Sequence, residues 1–386
     1  MLCVNQVYLS ELPLKRIRFN LIKCYDKINF SFELEEDFIM KKRLFSLLLV
    51  ATIIAGALSG CGSSESSDSV ETTTEGTVYK VGIIQYVDDA SLNQIVSSLE
   101  EQLDVLAEEN GCTFEYEDYY CNGQADSTTI NQMVTELIND DVDVLVPIAT
   151  PTAMICQSAT EDNQIPVVFS AVSDPEGAGL VASNDAPGSN ITGTSDALNT
   201  VAIFDLMFTQ DRDIQKVGLL YDKSQDSSAG SIEEAKAYLD AAGVEYVEKT
   251  GTSNDEVMLA ADALVAEGVD AVFTPTDNTI MTAELAIYEK FIDAGIPHYC
   301  GADSFALNGA YLGYGVNYAS LGVETANMVA QILVDGEDPA TLPVKTLDNG
   351  TATVNTETAA AIGLDYEKIK DLCDGFVEIQ TAEEFD

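Results

Sequence analysis

From about position 80 the chain alternates between two patterns. Short apolar runs rich in branched and aromatic residues occupy positions 81–85, 142–146, 167–170, 217–221, 244–248, 271–274 and 297–300, the signature of strands buried on both faces of a parallel sheet. Between them apolar residues recur at helical spacing. Leu92, Ile95, Leu99, Leu103 and Leu106 mark one face of a helix over 92–109, and the same reading predicts helices at 127–139, 152–160, 200–208, 231–242, 255–266 and 279–294. One more strand is expected at 114–119. Repeated β-α-β alternation predicts a parallel, doubly wound sheet. The turn-rich stretch 173–196 divides the alternation into two such lobes and carries the chain between them. Positions 311–318 read as a further strand and crossover, 320–333 as a helix returning to the first lobe, and the remainder, with TATVN and a short helix from 356, as a return to the second. Lobe one is thus expected over 79–196 plus about 319–345, and lobe two over 197–318 plus about 346–386.

Three pieces occur twice, in the same order. KVGIIQY opens at Lys80 and KVGLLYD at Lys216; VDVLVPIATPTAM is echoed by VDAVFTPTDNTIM from Val269; IPVVFSAVSDP is echoed by IPHYCGADS. In the middle piece of each copy a strand end runs through a turn into a helix start. Pro151 is tolerated there because the first helical N–H lacks a partner anyway, and Thr or Asp can cap the free donors. Open α/β sheets bind ligands at the carboxyl ends of their strands, so two such half-sites predict a cleft between similar lobes.

Charge narrows the function classes. The 386 residues carry 18 Lys and Arg against 65 Asp and Glu, a net charge of -47; beyond Gly60 only 10 basic residues face 59 acidic ones, and Arg212 is the one arginine. A polyanion of this kind repels phosphate backbones, which excludes a nucleic-acid partner. Positions 40–60, MKKRLFSLLLVATIIAGALSG, combine a basic n-region, an apolar h-region and small residues before Cys61, the plan of a secretory signal. Residues 1–39 lie upstream of that plan and read as a non-native extension. After Cys61, positions 61–78 are a polar Ser/Thr/Glu-rich tether. The cysteines Cys112, Cys121, Cys156, Cys300 and Cys373 are odd in number, and Cys112 and Cys121 would stand roughly 30 Å apart if the residues between them were fully extended, too far for a disulfide. No pair has zinc-ligand spacing, and the single histidine, His298, reads as a strand residue, so neither a metal nor a cofactor is expected.

Several motifs resemble a known family. Positions 148–154 (IATPTAM), 168–181 (VFSAVSDPEGAGLV), 190–196 (NITGTSD), 274–279 (TPTDNT) and 336–343 (GEDPATLP) are similar to the substrate-binding proteins of ABC transporters of the tryptophan/tyrosine uptake type. The resemblance implies a periplasmic-binding-protein-like I fold with three hinge crossings, capture of a small solute by lobe closure, and delivery to a membrane permease rather than catalysis. The LSGC sequence likewise resembles a bacterial lipoprotein box, which implies lipidation of Cys61, an extracytoplasmic membrane-anchored location and a monomer floating off its anchor. The family commonly has His-Pro where Asp89 and Ala90 stand here. It also favours an Asn-x-Ser-Glu-x-Asn-Ser type run after Tyr221, where Asp222, Ser224, Gln225, Ser227 and Ser228 stand. The expected ligand is therefore an amino acid whose side chain, aromatic or not, these departures leave open.

Such a ligand needs donors for its carboxylate and acceptors for its ammonium. Arg212 falls in a connector of the second lobe, so helix N-termini are the expected carboxylate donors: Thr150, Thr152 and Ala153 in one lobe, with Ser170 at the neighbouring strand end, and Ser224, Ser227 and Ser228 in the other. Asp89, Asp174, Asp196, Asp277 and Asp303 all fall near strand ends, where each is a candidate acceptor and equally a cap or turn former. Tyr86 and Tyr221 occupy equivalent positions in the two lobes, where they either sandwich a flat side chain or pack on their own lobes. A dinucleotide enzyme is disfavoured because positions 85–93 contain no glycine. A ligand sensor, or a nucleoside or sugar receptor of the same fold, stays open.

Overall fold

In a computed structural model of the chain, residues 76–210, 213–347 and 350–385 are described. The signal-like segment, Cys61, most of the tether, residues 1–39 and Arg212 lie outside them. Strand β1 (Val78–Gln85) leads to helix α1 (Ala90–Asn110), then β2 (Thr113–Glu115), β3 (Tyr120–Asn122), α2 (Ser127–Asn139), β4 (Val144–Ile148), α3 (Thr150–Ala159), β5 (Val167–Phe169) and β6 (Ile191–Ser195). The second run is α4 (Thr200–Thr209), β7 (Lys216–Tyr221), α5 (Asp226–Ala242), β8 (Glu245–Thr250), α6 (Asn254–Glu267), β9 (Ala271–Thr274), α7 (Asn278–Ala294), β10 (His298–Cys300), α8 (Asp303–Leu307) and β11 (Leu312–Gly315). Helix α9 (Tyr318–Leu333) and β12 (Lys345–Thr346) follow, then β13 (Thr351–Asn355), α10 (Thr356–Ile362), α11 (Glu367–Lys370) and β14 (Gly375–Ile379).

Two seven-stranded sheets result. The first has the order β12-β6-β5-β4-β1-β2, with β3 also on β1, and its strands run parallel. The second has the order β14-β13-β11-β10-β9-β7-β8, parallel except where β13 meets β11. The chain therefore passes between the sheets three times, after β6, after β11 and after β12. These are the two α/β lobes of the periplasmic-binding-protein-like I fold. Val81, Ile83, Val144, Val146 and Phe169 fill the first core; Val217, Leu219, Phe273, Tyr299 and Val354 fill the second.

Several sequence expectations shift. β1 begins at Val78 because its first residues pair with β2, Val78 opposite Thr113. The strand expected at 114–119 is broken by a 3-10 turn at Glu117–Tyr119, in which the Tyr119 N–H reaches the Tyr116 carbonyl; β2 pairs with the first half of β1 and β3 with the second. Cys112 and Cys121, on either side of it, are free thiols. Inside the expected linker 173–196 lies a buried strand, β6. Its Thr192 and Thr194 read as loop residues, yet Thr192 donates to the Leu342 carbonyl and Thr194 shares hydroxyl contacts with Ser170 and Thr325.

Helix α9 lies against α1 at backbone distance, which explains the glycine in its second turn. A Cβ on Gly322 would stand 2.4 Å from the Ile95 carbonyl oxygen and 3.0 Å from the Leu99 nitrogen. Backbone atoms cannot step aside as a side-chain tip can. Gly322→Ala is expected to cost about 1–3 kcal/mol through overpacking, read as a lower urea midpoint with an unchanged slope; an unchanged midpoint would show that the helices separate freely.

Candidate functional site

The carboxyl ends of both sheets face one another across a narrow cavity of about 10 Å³. That holds no more than about one water, far below the ~300–1,000 Å³ of ordinary small-molecule sites, so a ligand enters only when the lobes part. Helix N-termini enter it from both lobes. Between β4 and α3, Ala149 adopts φ 78°, ψ 152°, a conformation normally left to glycine and costing about 1–3 kcal/mol. This turn aims the first turn of α3 at the cavity. Thr150 is only 2% exposed, lines the cavity, and its Oγ1 has no hydrogen-bond partner.

From the opposite lobe comes α5. It begins at Asp226, five residues before the sequence reading, because the polar run DSSAGS shows no apolar stripe by which to recognise a helical turn. The earlier start places Ser227 in the first turn, 6% exposed, on the same cavity, and again with an Oγ that has no partner. α3 and α5 approach each other here, so two positive dipole ends and two unsatisfied hydroxyls converge. A buried hydroxyl without a partner is costly, and helix N-termini favour negative charge.

Asp196 and Tyr318 complete the polar wall, while Leu92 and Met281 supply an apolar one. One oxygen of Asp196 accepts from Ser173 Oγ (3.0 Å) and the other from the Tyr318 hydroxyl (3.2 Å). Burial raises its carboxyl above the usual range, against the pull of those two donors. Among the described residues no lysine or arginine lines the cavity, and ion pairs such as Lys236–Glu248 and Lys370–Glu367 lie on partly exposed side chains outside it.

The other candidate acceptors serve elsewhere. Asp277 caps α7: Oδ1 accepts from the Thr279 and Ile280 N–H groups and Oδ2 from the Asp222 N–H and Ser228 Oγ. It has no place left for an ammonium, and burial lifts its pKa to about 6. Asp89 caps α1 through the Ser91 and Leu92 N–H groups, with a pKa raised to about 7 by burial. Asp303 clasps the lobes together, taking Ser91 Oγ at 2.6 Å and Gln94 Nε2 at 3.3 Å; its carboxyl is raised by burial. Asp174 is exposed and holds the Gly177 N–H in a turn.

Further readings are corrected. The Tyr221 hydroxyl donates to Glu248 on β8, 2.7 Å away, so the ring lies along its own lobe and no sandwich with Tyr86 forms. Tyr86 does face the other lobe, where its hydroxyl meets Gln225. Ser224 is tied to Asp222, Ser228 to Asp277, and Ser170 to Thr194 and Thr325. The Ala153 N–H is already bonded to the Ala149 carbonyl. Thr152 Oγ1 has no partner but does not line the cavity. Ser173, Thr276, Asn278, Met281, Leu92 and Tyr318 were not singled out; most fall inside the repeated or family-like motifs, whose strings do not tell which side chain turns inward.

His298 is buried on β10 in the second lobe. Its ring contacts Thr274 Oγ1 (2.8 Å) and Glu284 Oε1 (3.0 Å) and packs near Phe291 and Phe305. Among the described residues no group of His, Cys, Asp or Glu could hold a metal ion, and no helix is long and apolar enough to cross a membrane.

The lobes are drawn together. Besides Ser91–Asp303, Ser173 Oγ stands 2.9 Å from Thr276 Oγ1, and Asn93 Nδ2 donates to Glu384 of the C-terminal tail at 3.2 Å. Comparison with known proteins agrees with this geometry. The profile of a family described as ABC transporter substrate binding protein matches residues 80–370. A tyrosine-binding protein of Clostridioides difficile (strain R20291) is 28% identical over 335 residues, 86% of this chain and 94% of that one. The crystal structure of an ABC domain in complex with L-Trp from Streptococcus pneumonia superposes with a TM-score of 0.72 at 29% identity, covering 78% of this chain and all of that one. A ligand-free, open substrate-binding protein with adhesive properties from Clostridium difficile gives 0.61 at 28% identity, covering 79% and 100%. At near-equal identity the better fit is to the ligand-bound structure, as expected for lobes drawn together.

Proposed function

Since this chain belongs to the ABC transporter substrate-binding proteins, we propose that it captures a free aromatic amino acid between its lobes and presents it to an ABC permease. One observation carries the reading: Thr150 and Ser227, on helix N-termini from opposite lobes, turn unpartnered hydroxyls into one cavity. A carboxylate there satisfies both and couples ligand binding to closure, because it bonds the two lobes at once. The aromatic side chain is supported by the ligands named for the relatives, tyrosine and L-Trp, and by the Leu92 and Met281 wall. Methionine sulfur makes favourable contacts with ring edges.

Such a protein works outside the cytoplasmic membrane. In this reading the chain is a monomer held there by lipid on Cys61, with residues 61–78 as its tether, and its role is capture rather than catalysis. The protein contains no tryptophan, so added L-tryptophan is the sole indole, and its emission shifts to the blue on entering the cavity. L-Tyrosine and L-tryptophan are expected to raise the melting temperature; at one hundred times Kd the stabilisation is about 2.7 kcal/mol. A melting temperature that responds to a nucleoside or a sugar and to no aromatic amino acid would overturn the assignment.

A further inference from the structure

We infer that closing the lobes takes up a proton, which makes the protein hold its solute more tightly in mildly acidic surroundings than in alkaline ones. This rests on capture between closing lobes and not on which solute is captured. Closure brings together two carboxylates, Asp89 of the first lobe and Asp303 of the second, and both hang on one residue. Asp89 accepts the Ser91 N–H at 2.9 Å, and Asp303 accepts the Ser91 hydroxyl at 2.6 Å. The Ser304 N–H, from the same short helix as Asp303, donates to that hydroxyl oxygen at 3.2 Å. Asp89 is 7% exposed and Ser91 is fully buried. Among the described residues no lysine, arginine or histidine pairs with either acid. The other titratable groups that face the pair are Tyr318 on α9 and Asp196, to which the Tyr318 hydroxyl donates. Asp88 and Glu384 lie further out, both on the Asn93 amide. All of these are acids, so none offsets a second negative charge.

An ionised carboxylate in such a place loses its hydration, and a second one beside it repels it. Parting the lobes relieves both. The bonds that Asp303 takes from Ser91 and Gln94 come from the other lobe, so water replaces them. Asp89 keeps its cap within its own lobe but loses Asp303 as a neighbour. It also has a place for the proton. Both backbone bonds it accepts fall on Oδ1, which leaves Oδ2 to carry it, and the Ser304 hydroxyl, which bears on Asp89 and has no hydrogen-bond partner, can accept it. In the closed form burial, reinforced by Asp303, raises Asp89 to about 7, and burial raises Asp303. Acids raised in this way bind protons more tightly when the lobes are closed. Their contribution to closure is therefore complete below the open-form value, about 4 for an ordinary aspartate, and is lost as pH rises through about 7. Asp277 takes all four of its donors from its own lobe, so closure leaves its proton where it was.

Calorimetry with L-tyrosine from pH 5 to pH 8, over which the amino acid stays a zwitterion, tests the inference. Wild-type affinity is expected to fall roughly tenfold or more across that range, the effect of one proton whose pKa closure raises by at least about one unit. Binding near pH 6 is expected to take up protons, read as a heat that changes with the ionisation enthalpy of the buffer. Asp89→Asn keeps the cap, Asp303→Asn keeps an acceptor for the Ser91 hydroxyl, and each is expected to flatten the pH profile. Wild-type affinity that is equal at pH 5 and pH 8 overturns the inference. So does a pH dependence that both variants retain in full, because the proton then goes to another acid such as Asp196. If one variant fails to fold, the other and the wild-type profile decide. Small-angle scattering of the ligand-free protein reads closure without any solute, and its radius of gyration is expected to grow from pH 5 to pH 8. If neither L-tyrosine nor L-tryptophan binds at any pH, the aromatic-ligand reading falls and the scattering alone decides this inference, a constant radius overturning it.

Discussion

Thr150→Val combined with Ser227→Ala is expected to weaken binding of L-tyrosine by roughly two to four orders of magnitude while leaving the ligand-free protein as stable as before, or more so. Each hydroxyl supplies one hydrogen bond to a charged group, worth about 1.5–3 kcal/mol, or ~10- to 150-fold. Both bonds meet on one carboxylate, so the double variant is expected to depart from simple addition. The stability arm separates a binding role from a structural one. A hydroxyl that braces the fold costs stability when removed, whereas an unpartnered buried one is better replaced by an apolar group of like shape. Calorimetry for affinity and urea unfolding without ligand provide the two readings. A double variant that keeps its affinity, or that loses stability and affinity in proportion, would show that these hydroxyls are not the receptor.

Asp89→Asn is expected to stabilise the protein at pH 8 by about 2–4 kcal/mol and to have little effect near pH 4. The carboxylate is buried at the N-terminus of α1, and burial, opposed by the Ser91 and Leu92 N–H groups and reinforced by Asp303, raises its pKa to about 7. An acid whose folded pKa is raised binds its proton more tightly when folded. Its contribution is therefore complete below the unfolded value near 4 and is lost as pH rises through about 7. Asparagine caps as well as aspartate, so the same Ser91 and Leu92 N–H groups stay satisfied while the buried charge disappears. Urea midpoints measured from pH 4 to pH 8 should fall for the wild type and stay flatter for the variant. Parallel curves would mean that the carboxylate is hydrated or has a cation beside it. Asp277, at about 6, adds the same trend to both proteins and cancels in the comparison.

Much of the architecture is local in origin and could be read from the chain. The alternating strand and helix patterns, the duplicated KVG and Thr-Pro pieces and the helix start near Thr150 depend on side chains a few residues apart, which is the range over which hydrophobic periodicity and capping act. What hid β6 was its composition: ITGTS is short, with two threonines among its five residues, and it is a strand because Thr192 and Thr194 find partners on α9 and on the segment after it, more than a hundred residues away. The first turn of α5 was hidden in the same way by a run of small polar residues.

Within the site, residue type was legible and allegiance was not. Five aspartates stood near strand ends with equal chemical credentials, since an acidic side chain before a helix caps or binds with the same atoms. Only the packed structure assigned two of them to caps, one to a lobe-to-lobe clasp, one to an exposed turn, and Asp196 to the cavity. The pairing of Tyr86 with Tyr221 failed for a related reason, because strand position settles where a ring begins and the neighbouring strand settles where it ends. The sequence by itself determined two duplicated α/β lobes, a polyanionic surface and helix starts rich in hydroxyls, all consequences of short-range pattern and composition. The tertiary structure alone decided which hydroxyls go unpartnered and which carboxylate shares their cavity, because that choice is made by contacts between lobes that no local stretch of chain contains.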